Sequence, residues 1–294
     1  MILELMSKDL NLDEEFILKI SEKNTAYKKY RIPKKKGGYR TIYHPSKELK
    51  LLQYWLVKRI FSKFPISKCS TAYSKGNSIK KNALIHKNSN YMLHLDITNF
   101  FESISHYHLD RILRKIDKID STDMDLIKRI VFYKGEYLVI GSVASPIISN
   151  CIMYDIDEEI INKCIRGRNL IYTRYADDII ISSKEYIGEN IIKDIKAILD
   201  ENKFVLNEQK TYFMNKKSKR AVTGIVIDNN NNSLSIGSKK YREVKRVIYS
   251  FLVKNQGNRD NILGSLAFIK DIDIKKYNNL KEIYSKYDKN NTLF

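Results

Sequence analysis

The chain has 294 residues, of which 43% are hydrophobic, so it can bury the core of one large domain or of two to three small lobes. Its 53 lysines and arginines outnumber 34 aspartates and glutamates, and the net charge of +19 favours nucleic acid as a partner, although a lysine-rich surface can also reflect an AT-rich genome. Three scattered cysteines, an acidic N-terminus and no long apolar run argue against a disulfide or zinc scaffold, a signal peptide and a membrane span. We therefore expect buried thiols in a cytoplasmic protein without membrane association.

The first third of the chain predicts four elements. The apolar spacing over 9–29 predicts a helix. Two strand-like runs flank Gly37-Gly38, which indicates a hairpin. Ser46 is typical of a helix N-cap and precedes a long amphipathic stretch. The alternating residues 91–97, YMLHLDI, indicate a strand.

The remainder predicts a sheet backed by helices, followed by a basic helical lobe. A helix is expected around Leu109–Ile116, and another begins near Pro146 and reaches about Cys164. LIYTRY and IIISS are predicted strands joined at Ala176-Asp177-Asp178. The later predictions are a helix over 186–201, strands at FVLN, TYFM and AVTGIVI, a polar turn at 228–233, and helices from Ser238 onward.

Three carboxylates stand where strands end. Asp96 closes the apolar strand LHLD, and Asp177 and Asp178 occupy the tight turn between two β-branched strands. Adjacent acids in a turn are usually just solvated, but here apolar strands pin the turn into a central hairpin. Carboxylates are the ligands that Mg²⁺ prefers, and two such ions about 3.5–4 Å apart serve phosphoryl transfer. We expect Asp96 and Asp177 to bridge two Mg²⁺ ions, for which Mn²⁺ could substitute, with the Ile97 carbonyl and Asp178 beside them.

The two blocks that carry these acids resemble the catalytic blocks of reverse transcriptases. YADD at 175–178 is similar to the Y-x-D-D box of that family, and LDITNFF at 95–101 is similar to the strand with its first aspartate. The resemblance implies an RNA-directed DNA polymerase with an α+β right-hand fold, made of fingers, a ferredoxin-like palm and a small helical thumb. It covers roughly residues 30–270.

Other positions resemble the family's nucleotide-binding residues. Phe101 matches the bulky residue under the sugar, where a ring excludes a 2′-hydroxyl; the alternative is a core aromatic. Lys36 and Arg40 lie on the hairpin that resembles the fingers loop, and Arg40 would clamp the dNTP triphosphate; the alternative is a solvated basic hairpin. Lys210, in NEQKT, would neutralise or protonate the pyrophosphate. Gly141 would let the backbone approach the substrate closely.

The block IGSVASP at 140–146 departs from the family at one position. Many members have Gln before the glycine, where this chain has Ile140. The change removes a side-chain donor and acceptor from the nucleotide-positioning contact but does not touch the metal centre.

Two further blocks resemble retron reverse transcriptases. NALIH at 82–86 is similar to their N-A-x-x-H element, and VTG at 222–224 to their V-T-G element, which implies RNA-binding roles for Asn82, His86, Thr223 and Gly224. The alternatives are a turn former, a satisfied histidine and a strand bulge. Five basic residues in one C-terminal helical stretch would hold a folded RNA or, alternatively, form a solvated face: Lys239, Lys240, Arg242, Lys245 and Arg246.

The resemblance implies a specific activity and organisation. Such enzymes copy one cognate structured non-coding RNA from an RNA 2′-hydroxyl into branched multicopy single-stranded DNA, and many act with an effector protein against phage. A group II intron-like or phage-exclusion enzyme, and a non-catalytic RNA-binding protein on the same fold, remain alternatives. The expected division is fingers at 1–90 with 105–136, palm at 91–104 and 137–227, and thumb at 228–294.

Overall fold

A computed structural model of the protein describes residues 1–22, 26–34, 37–289 and 291–294. This part of the chain forms two compact units, which we call unit 1 and unit 2. Unit 1 comprises Met1–Lys75, Leu95–Ile179 and Gly188–Thr211, and unit 2 comprises Gly76–His94, Ile180–Ile187 and Tyr212–Phe294. The predicted division into fingers, palm and thumb follows function rather than compactness and stays a prediction.

The helices of the described residues are α1 (Ile2–Leu10), α2 (Glu14–Glu22), α3 (Lys47–Arg59), α4 (Ile79–His86), α5 (Phe100–Ser103), α6 (His106–Leu113), α7 (Ser121–Val131), α8 (Ser145–Ile160), α9 (Asn190–Glu201), α10 (Ser238–Lys254), α11 (Arg259–Ile272) and α12 (Ile274–Tyr284). The strands are β1 (Tyr27–Pro33), β2 (Tyr39–Pro45), β3 (Tyr91–Asp96), β4 (Ile171–Tyr175), β5 (Asp178–Ser183), β6 (Tyr212–Asn215), β7 (Arg220–Val222), β8 (Ile225–Ile227) and β9 (Leu234–Ser235).

The helix predicted over 9–29 is confirmed only over Glu14–Glu22, and its predicted start is wrong. The chain instead leaves α1 at Asn11, whose φ of 53° lies in the left-handed region and whose N–H donates to the Ser7 carbonyl. Asparagine tolerates that conformation better than most residues, so the helix ends there. A second helix ends at Glu22, and Tyr27 already begins β1.

The predicted hairpin and the helix after it are confirmed. Strands β1 and β2 pair antiparallel, and Gly37 and Gly38 both have positive φ in the turn between them. The Ser46 hydroxyl accepts a hydrogen bond of 3.2 Å from the Leu49 N–H, which caps α3. The helix predicted from Pro146 is also confirmed, since α8 continues as a π-helical turn through Ile165.

The central sheet has the strand order β4–β5–β3–β6, and β3 pairs antiparallel with β6. The two strands predicted around the acidic turn are therefore confirmed. The single strand predicted for AVTGIVI is a hairpin instead, because Thr223 and Gly224 have φ values of 47° and 83°. Two successive positive φ angles close a two-residue hairpin turn. The segment FVLN forms one isolated bridge, Ile97 to Leu206, rather than a strand.

The three C-terminal helices enclose the core of unit 2. Val244 and Ile248 of α10 are buried with Ile269 and Leu280 of the following helices, against Val222 of the three-stranded sheet β7–β8–β9. The predicted helical C-terminus is thus confirmed. Burial of this shared apolar face stabilises helices that are too polar on their outer side to form alone.

All three cysteines are free and buried, as expected from the sequence. Burial raises the pKa of the Cys151 thiol to about 12 and raises those of Cys69 and Cys164 as well. These thiols therefore stay protonated and unreactive at neutral pH. Within the described ranges, no helix combines the length and apolar character needed to cross a bilayer.

Candidate active site

Unit 1 brings the three aspartates of the sequence prediction to neighbouring strand ends. Asp96 is the last residue of β3, and Asp177 and Asp178 lie at the turn from β4 to β5. The Ile97 N–H donates to the Asp177 carbonyl at 3.1 Å, so the end of β3 is held directly against the turn. Ala176 has a φ of 57°, which turns the chain sharply between β4 and β5 and leaves the two acids half-buried.

Asp177 carries the electrostatic signature of a functional carboxylate. Burial raises the pKa of Asp177 to about 6, and the charges of Asp178 and Asp96 add to the rise. A group that is both desolvated and surrounded by like charges is unstable as an anion unless a cation neutralises it. The site therefore carries excess negative charge, which a bound cation would neutralise.

Lys210 provides a cation at this site. Its ammonium donates to both carboxylate oxygens of Asp96, at 2.8 and 2.9 Å. The backbone brings it there, because the Asn207 N–H donates to the Asp96 carbonyl at 2.8 Å just before the 3₁₀ turn that contains Lys210. The lysine predicted to act on pyrophosphate thus contacts the carboxylate of Asp96 in this structure.

Three of the five predicted nucleotide-binding residues, Arg40, Phe101 and Lys210, line one cleft of about 480 Å³. Its wall includes Arg40 from β2, Phe101 from α5, Ile140 and the carboxylates Asp96 and Asp177. Lys36, predicted to act with Arg40, lies outside the described residues. The cleft is open to solvent and combines acids, bases and an aromatic floor, as a nucleoside triphosphate site requires.

Gly141 lies behind this cleft, where the hairpin meets the loop before α8. The Tyr43 N–H donates to the Ile140 carbonyl at 2.8 Å. A methyl group on Gly141 would stand 2.5 Å from the Tyr43 carbonyl oxygen, and the φ of 103° disfavours any other residue. The predicted close approach at Gly141 is therefore to the β2 backbone.

A buried ion pair supports the acidic turn from beneath, and the sequence reasoning did not include it. Arg174 and Asp157 are both fully buried, with the guanidinium 2.8 Å from the carboxylate. The same guanidinium donates to the Ala176 carbonyl at 3.2 Å and to the Asn150 side-chain oxygen at 3.3 Å. Asn150 in turn donates to the Ala72 carbonyl at 2.9 Å. The network thereby links α8 to the acidic turn.

One signal in the sequence points to the buried ion pair. An arginine inside an otherwise apolar strand, as in LIYTRY, needs a carboxylate partner if the strand is buried. Tyr73 gave no such signal: it follows Ala72, has a φ of 56° and places its ring 6.4 Å from that of Phe101. Its position in the cleft depends on the fold rather than on local sequence.

The motif residues Asn82 and His86 are buried in unit 2. Both side chains are 0% exposed, and the His86 Nδ1 atom lies 2.7 Å from the Ser182 hydroxyl of β5. Burial lowers the pKa of His86 to about 3, so the imidazole is neutral. The structure thus gives these two residues packing contacts inside the protein, and a direct contact with RNA stays a prediction.

The other predicted RNA-binding residues are nearer the surface of unit 2. The Thr223 hydroxyl donates to the Ile79 carbonyl at 3.2 Å, which ties the β7–β8 turn to α4. The five basic residues of α10 are exposed or half-buried, and the ammonium of Lys240 lies 3.9 Å from the centre of the Phe268 ring.

The donor set at the acidic turn fits a divalent cation in its chemistry. The three carboxylates are oxygen ligands, and the pKa of Asp177 is raised first by burial and then by the negative charges of Asp178 and Asp96. Over the described residues, however, no three His, Cys, Asp or Glu side chains are already arranged around one point. The ion pair of Lys210 with Asp96 accounts for part of this, because it directs the first carboxylate toward the ammonium.

Comparison with known proteins gives a consistent family. Residues 32–227 match the family model described as reverse transcriptase (RNA-dependent DNA polymerase). The retron Ec73 reverse transcriptase of Escherichia coli is 34% identical, over 87% of this chain and 86% of the relative. The retron Ec83 and Ec86 reverse transcriptases of the same species are 32% and 31% identical, over 93% and 97% of this chain and 91% and 88% of the relatives.

Solved structures share the fold. Apo telomerase from Candida tropicalis matches with a TM-score of 0.52 at 14% identity, over 90% of this chain and 58% of the telomerase. Telomerase from Candida albicans, in complex with a fragment of telomeric RNA, matches with a TM-score of 0.51 at 12% identity, over 92% of this chain and 56% of that one. This chain thus spans somewhat more than half of each telomerase, and its fold is that of a right-hand polymerase.

Proposed function

This chain belongs to the reverse transcriptases, and within them to the retron enzymes, and from that premise we propose that it copies a cognate structured non-coding RNA into branched multicopy single-stranded DNA. It is an RNA-directed DNA polymerase. The observation that carries the proposal is the meeting of Asp96 and Asp177 in one cleft that Arg40 and Phe101 also line, with Asp178 next to Asp177 at the start of β5.

Asp96, Asp177 and Asp178, with the Ile97 carbonyl, would hold two Mg²⁺ ions, or Mn²⁺ in their place. The bound ions would supply charge neutralisation and activation of the attacking hydroxyl. For Asp96 to face a cation, the Lys210 ammonium must leave its carboxylate, to which it donates two hydrogen bonds. Freed in this way, Lys210 would reach the phosphates of the incoming nucleotide and neutralise the departing pyrophosphate.

The remaining cleft residues would select and orient the dNTP. The Arg40 guanidinium, with its fork of donors, would bind the triphosphate, and Lys36 would add charge from the same hairpin. The ring of Phe101 would fill the space that a ribose 2′-hydroxyl needs. Gly141 would act indirectly, by keeping the hairpin that bears Arg40 close to the loop of Ile140.

The RNA partner would bind chiefly through unit 2. The exposed basic face of α10 offers Lys239, Arg242 and Arg246 to phosphates, while its opposite face is committed to the core. Asn82 and His86 would shape that surface from inside, and Thr223 and Gly224 would present the turn that ends it. We further propose a cytoplasmic protein that acts with an effector protein in antiphage defence.

The decisive test of the metal assignment is Asp177→Asn. This change keeps the size of the side chain but removes a cation ligand, so Mg²⁺-dependent DNA synthesis on a primed RNA template should fall by at least about 10³-fold. RNA affinity should stay nearly intact. Asp194→Asn, at an exposed surface ion pair of α9, is the matched control. Normal synthesis by Asp177→Asn would refute the assignment.

The retron activity is tested by expressing the gene with its flanking DNA. The expected product is a short single-stranded DNA whose 5′ end is released only by a debranching enzyme, and which is missing with Asp177→Asn. A polymerase that works on added templates but yields no branched DNA would point to a group II intron-like or phage-exclusion enzyme. Loss of phage resistance with the same variant tests the defence role.

A further inference from the structure

Unit 2 contains a second cleft, of about 470 Å³, where three strand ends meet. It is lined by residues at the start of β3, just after β5 and after β6, and we call it the strand-end cleft: Asn90, Tyr91, Lys184, Asn215, Lys216 and Lys217. Its residues belong to a different unit from those of the polymerase site. The function proposed above gives it no role.

One aromatic ring, that of Tyr91, lines this cleft, and a second, that of Tyr186, lies next to Tyr91 just outside the lining. Tyr186 is 73% exposed, the highest value among the large hydrophobic and aromatic side chains of the described residues. Its ring centre lies 5.9 Å from that of Tyr91, with the planes at 84°. In this edge-to-face pair, a ring face is left open to solvent. Open ring faces beside a charged groove are what unpaired nucleobases stack on.

All the charged side chains that line the strand-end cleft are basic. Lys184, Lys216 and Lys217 are exposed, and none of the described residues that line the cleft is acidic. Glu185 is exposed between Lys184 and Tyr186 but does not line the cleft. Three ammonium groups around one concave surface attract phosphates, and they do so most strongly at low salt.

The cleft is held in shape by its own hydrogen bonds. The Asn90 side-chain amide donates to the Lys184 carbonyl at 2.9 Å. The Lys217 N–H donates to the Asn215 side-chain oxygen at 2.8 Å, and Asn215 itself donates its N–H to Ser218. The turn that carries two of the lysines is therefore preformed, which lowers the entropic cost of binding.

We propose that the strand-end cleft binds an unpaired segment of RNA, with a base against Tyr186 and phosphates on the lysines. A duplex hides its base faces, so open rings fit a single strand better. The choice of RNA over DNA rests on the function proposed above, in which the RNA must be held before any DNA exists. The basic charge and open rings favour nucleic acid over an acidic protein segment.

The test measures equilibrium binding of the full chain to an unstructured RNA, to the DNA of the same sequence and to an RNA duplex. Tyr186→Ala should weaken RNA binding about fivefold or more, the loss of one stacked base. Lys216→Gln with Lys217→Gln should lower the slope of log affinity against log salt by about 1.4, or 0.7 for each single-strand phosphate contact. The thermal midpoint should stay unchanged, since these side chains are exposed.

Matched controls come from exposed residues of α3 and the turn after it. Tyr54→Ala removes a tyrosine that is 59% exposed, and Lys58→Gln with Lys63→Gln removes the same charge. Neither control should alter RNA binding. An RNA carrying 4-thiouridine should cross-link to the peptides around Tyr186 and Lys216 in the wild-type chain.

The proposal is overturned if Tyr186→Ala leaves RNA affinity unchanged and the double lysine variant leaves the salt slope unchanged; the cleft would then suit a protein partner. It is also overturned if the control variants lose as much RNA affinity as these variants do. A loss larger for DNA than for RNA also overturns it. Extension of a pre-annealed primer should be normal in all these variants. Failure of the wild-type chain to make branched DNA would count against the proposed function alone, because binding is measured separately.

Discussion

Phe101 lies in the polymerase cleft within 6.4 Å, ring to ring, of Tyr73. Two rings at one wall restrict where a sugar can sit, and a truncated residue 101 would open space for a 2′-hydroxyl. We predict that Phe101→Ala lowers the preference for deoxynucleotides by at least about tenfold, the scale of steric discrimination in a pocket. Competing dNTP and rNTP incorporation on one template measures it. Unchanged sugar preference would show that Phe101 is a packing residue only.

Variants of the buried pair Arg174–Asp157 can separate its contribution to stability from its role in positioning the acidic turn. Asp157→Leu leaves a buried guanidinium unpaired and should cost about 3–5 kcal/mol of unfolding free energy, measured with urea. Asp157→Leu with Arg174→Met should recover part of that loss, because apolar side chains replace the buried ion pair, while the buried Tyr172 hydroxyl loses its acceptor on Asp157.

Activity should not recover with stability. The double variant lacks the hydrogen bond from Arg174 to the Ala176 carbonyl, so the catalytic turn loses a support. We expect its turnover number to stay at least about tenfold below wild type while its KM for dNTP changes little. Full turnover in a stable double variant would restrict the pair to a structural role.

The β1–β2 hairpin and the loop before α8 are coupled at Gly141. Gly141→Ala would force its new methyl group away from the Tyr43 carbonyl oxygen, 2.5 Å distant, and so displace β2, which carries Arg40. We predict a loss of about 1–3 kcal/mol of stability and a higher KM for dNTP. Gly135→Ala is the matched control, since Gly135 also has positive φ but has open space around it.

If Gly141→Ala and Gly135→Ala change stability and the KM for dNTP equally, the cause is backbone strain. The close approach of the hairpin to the loop before α8 would then have no effect on nucleotide binding. If only Gly141→Ala raises the KM, the position of the hairpin sets nucleotide affinity. The comparison therefore assigns a role to an element pair rather than to a residue.

The stability of the folded chain should depend on pH through His86. Its pKa falls from 6.5 to about 3 on burial, so the unfolded chain binds a proton that the folded chain does not. Stability from this source is present above pH 6.5 and is lost as pH decreases from there toward 3. At pH 5.5 the loss should be about 1.4 kcal/mol relative to neutral pH.

Urea unfolding of the wild type and of His86→Gln at pH 7.5 and 5.5 measures this contribution. The variant should be less stable at pH 7.5, where it lacks the packing of the imidazole, yet its decrease between the two pH values should be smaller by that amount. An identical decrease in both proteins would contradict the assignment of the neutral buried imidazole.

Across the whole molecule, the sequence predicted those elements that are determined by side chains only a few residues away. The Ser46 cap and the Gly37-Gly38 turn depend on side chains within a few residues, and both are confirmed. The helix expected over 9–29 begins only at Glu14, because Asn11 takes a left-handed conformation that apolar spacing does not encode. The Arg174 network and Tyr73 depend on contacts between distant segments, which no single-sequence pattern specifies.

The three buried cysteines have a practical consequence. Because their thiols are protonated and covered, the native chain should ignore maleimide reagents under folding conditions. A single cysteine placed at exposed Tyr39 in the hairpin would then be the one labelled position without removing any native thiol. A fluorophore attached there would report movements of the hairpin in real time.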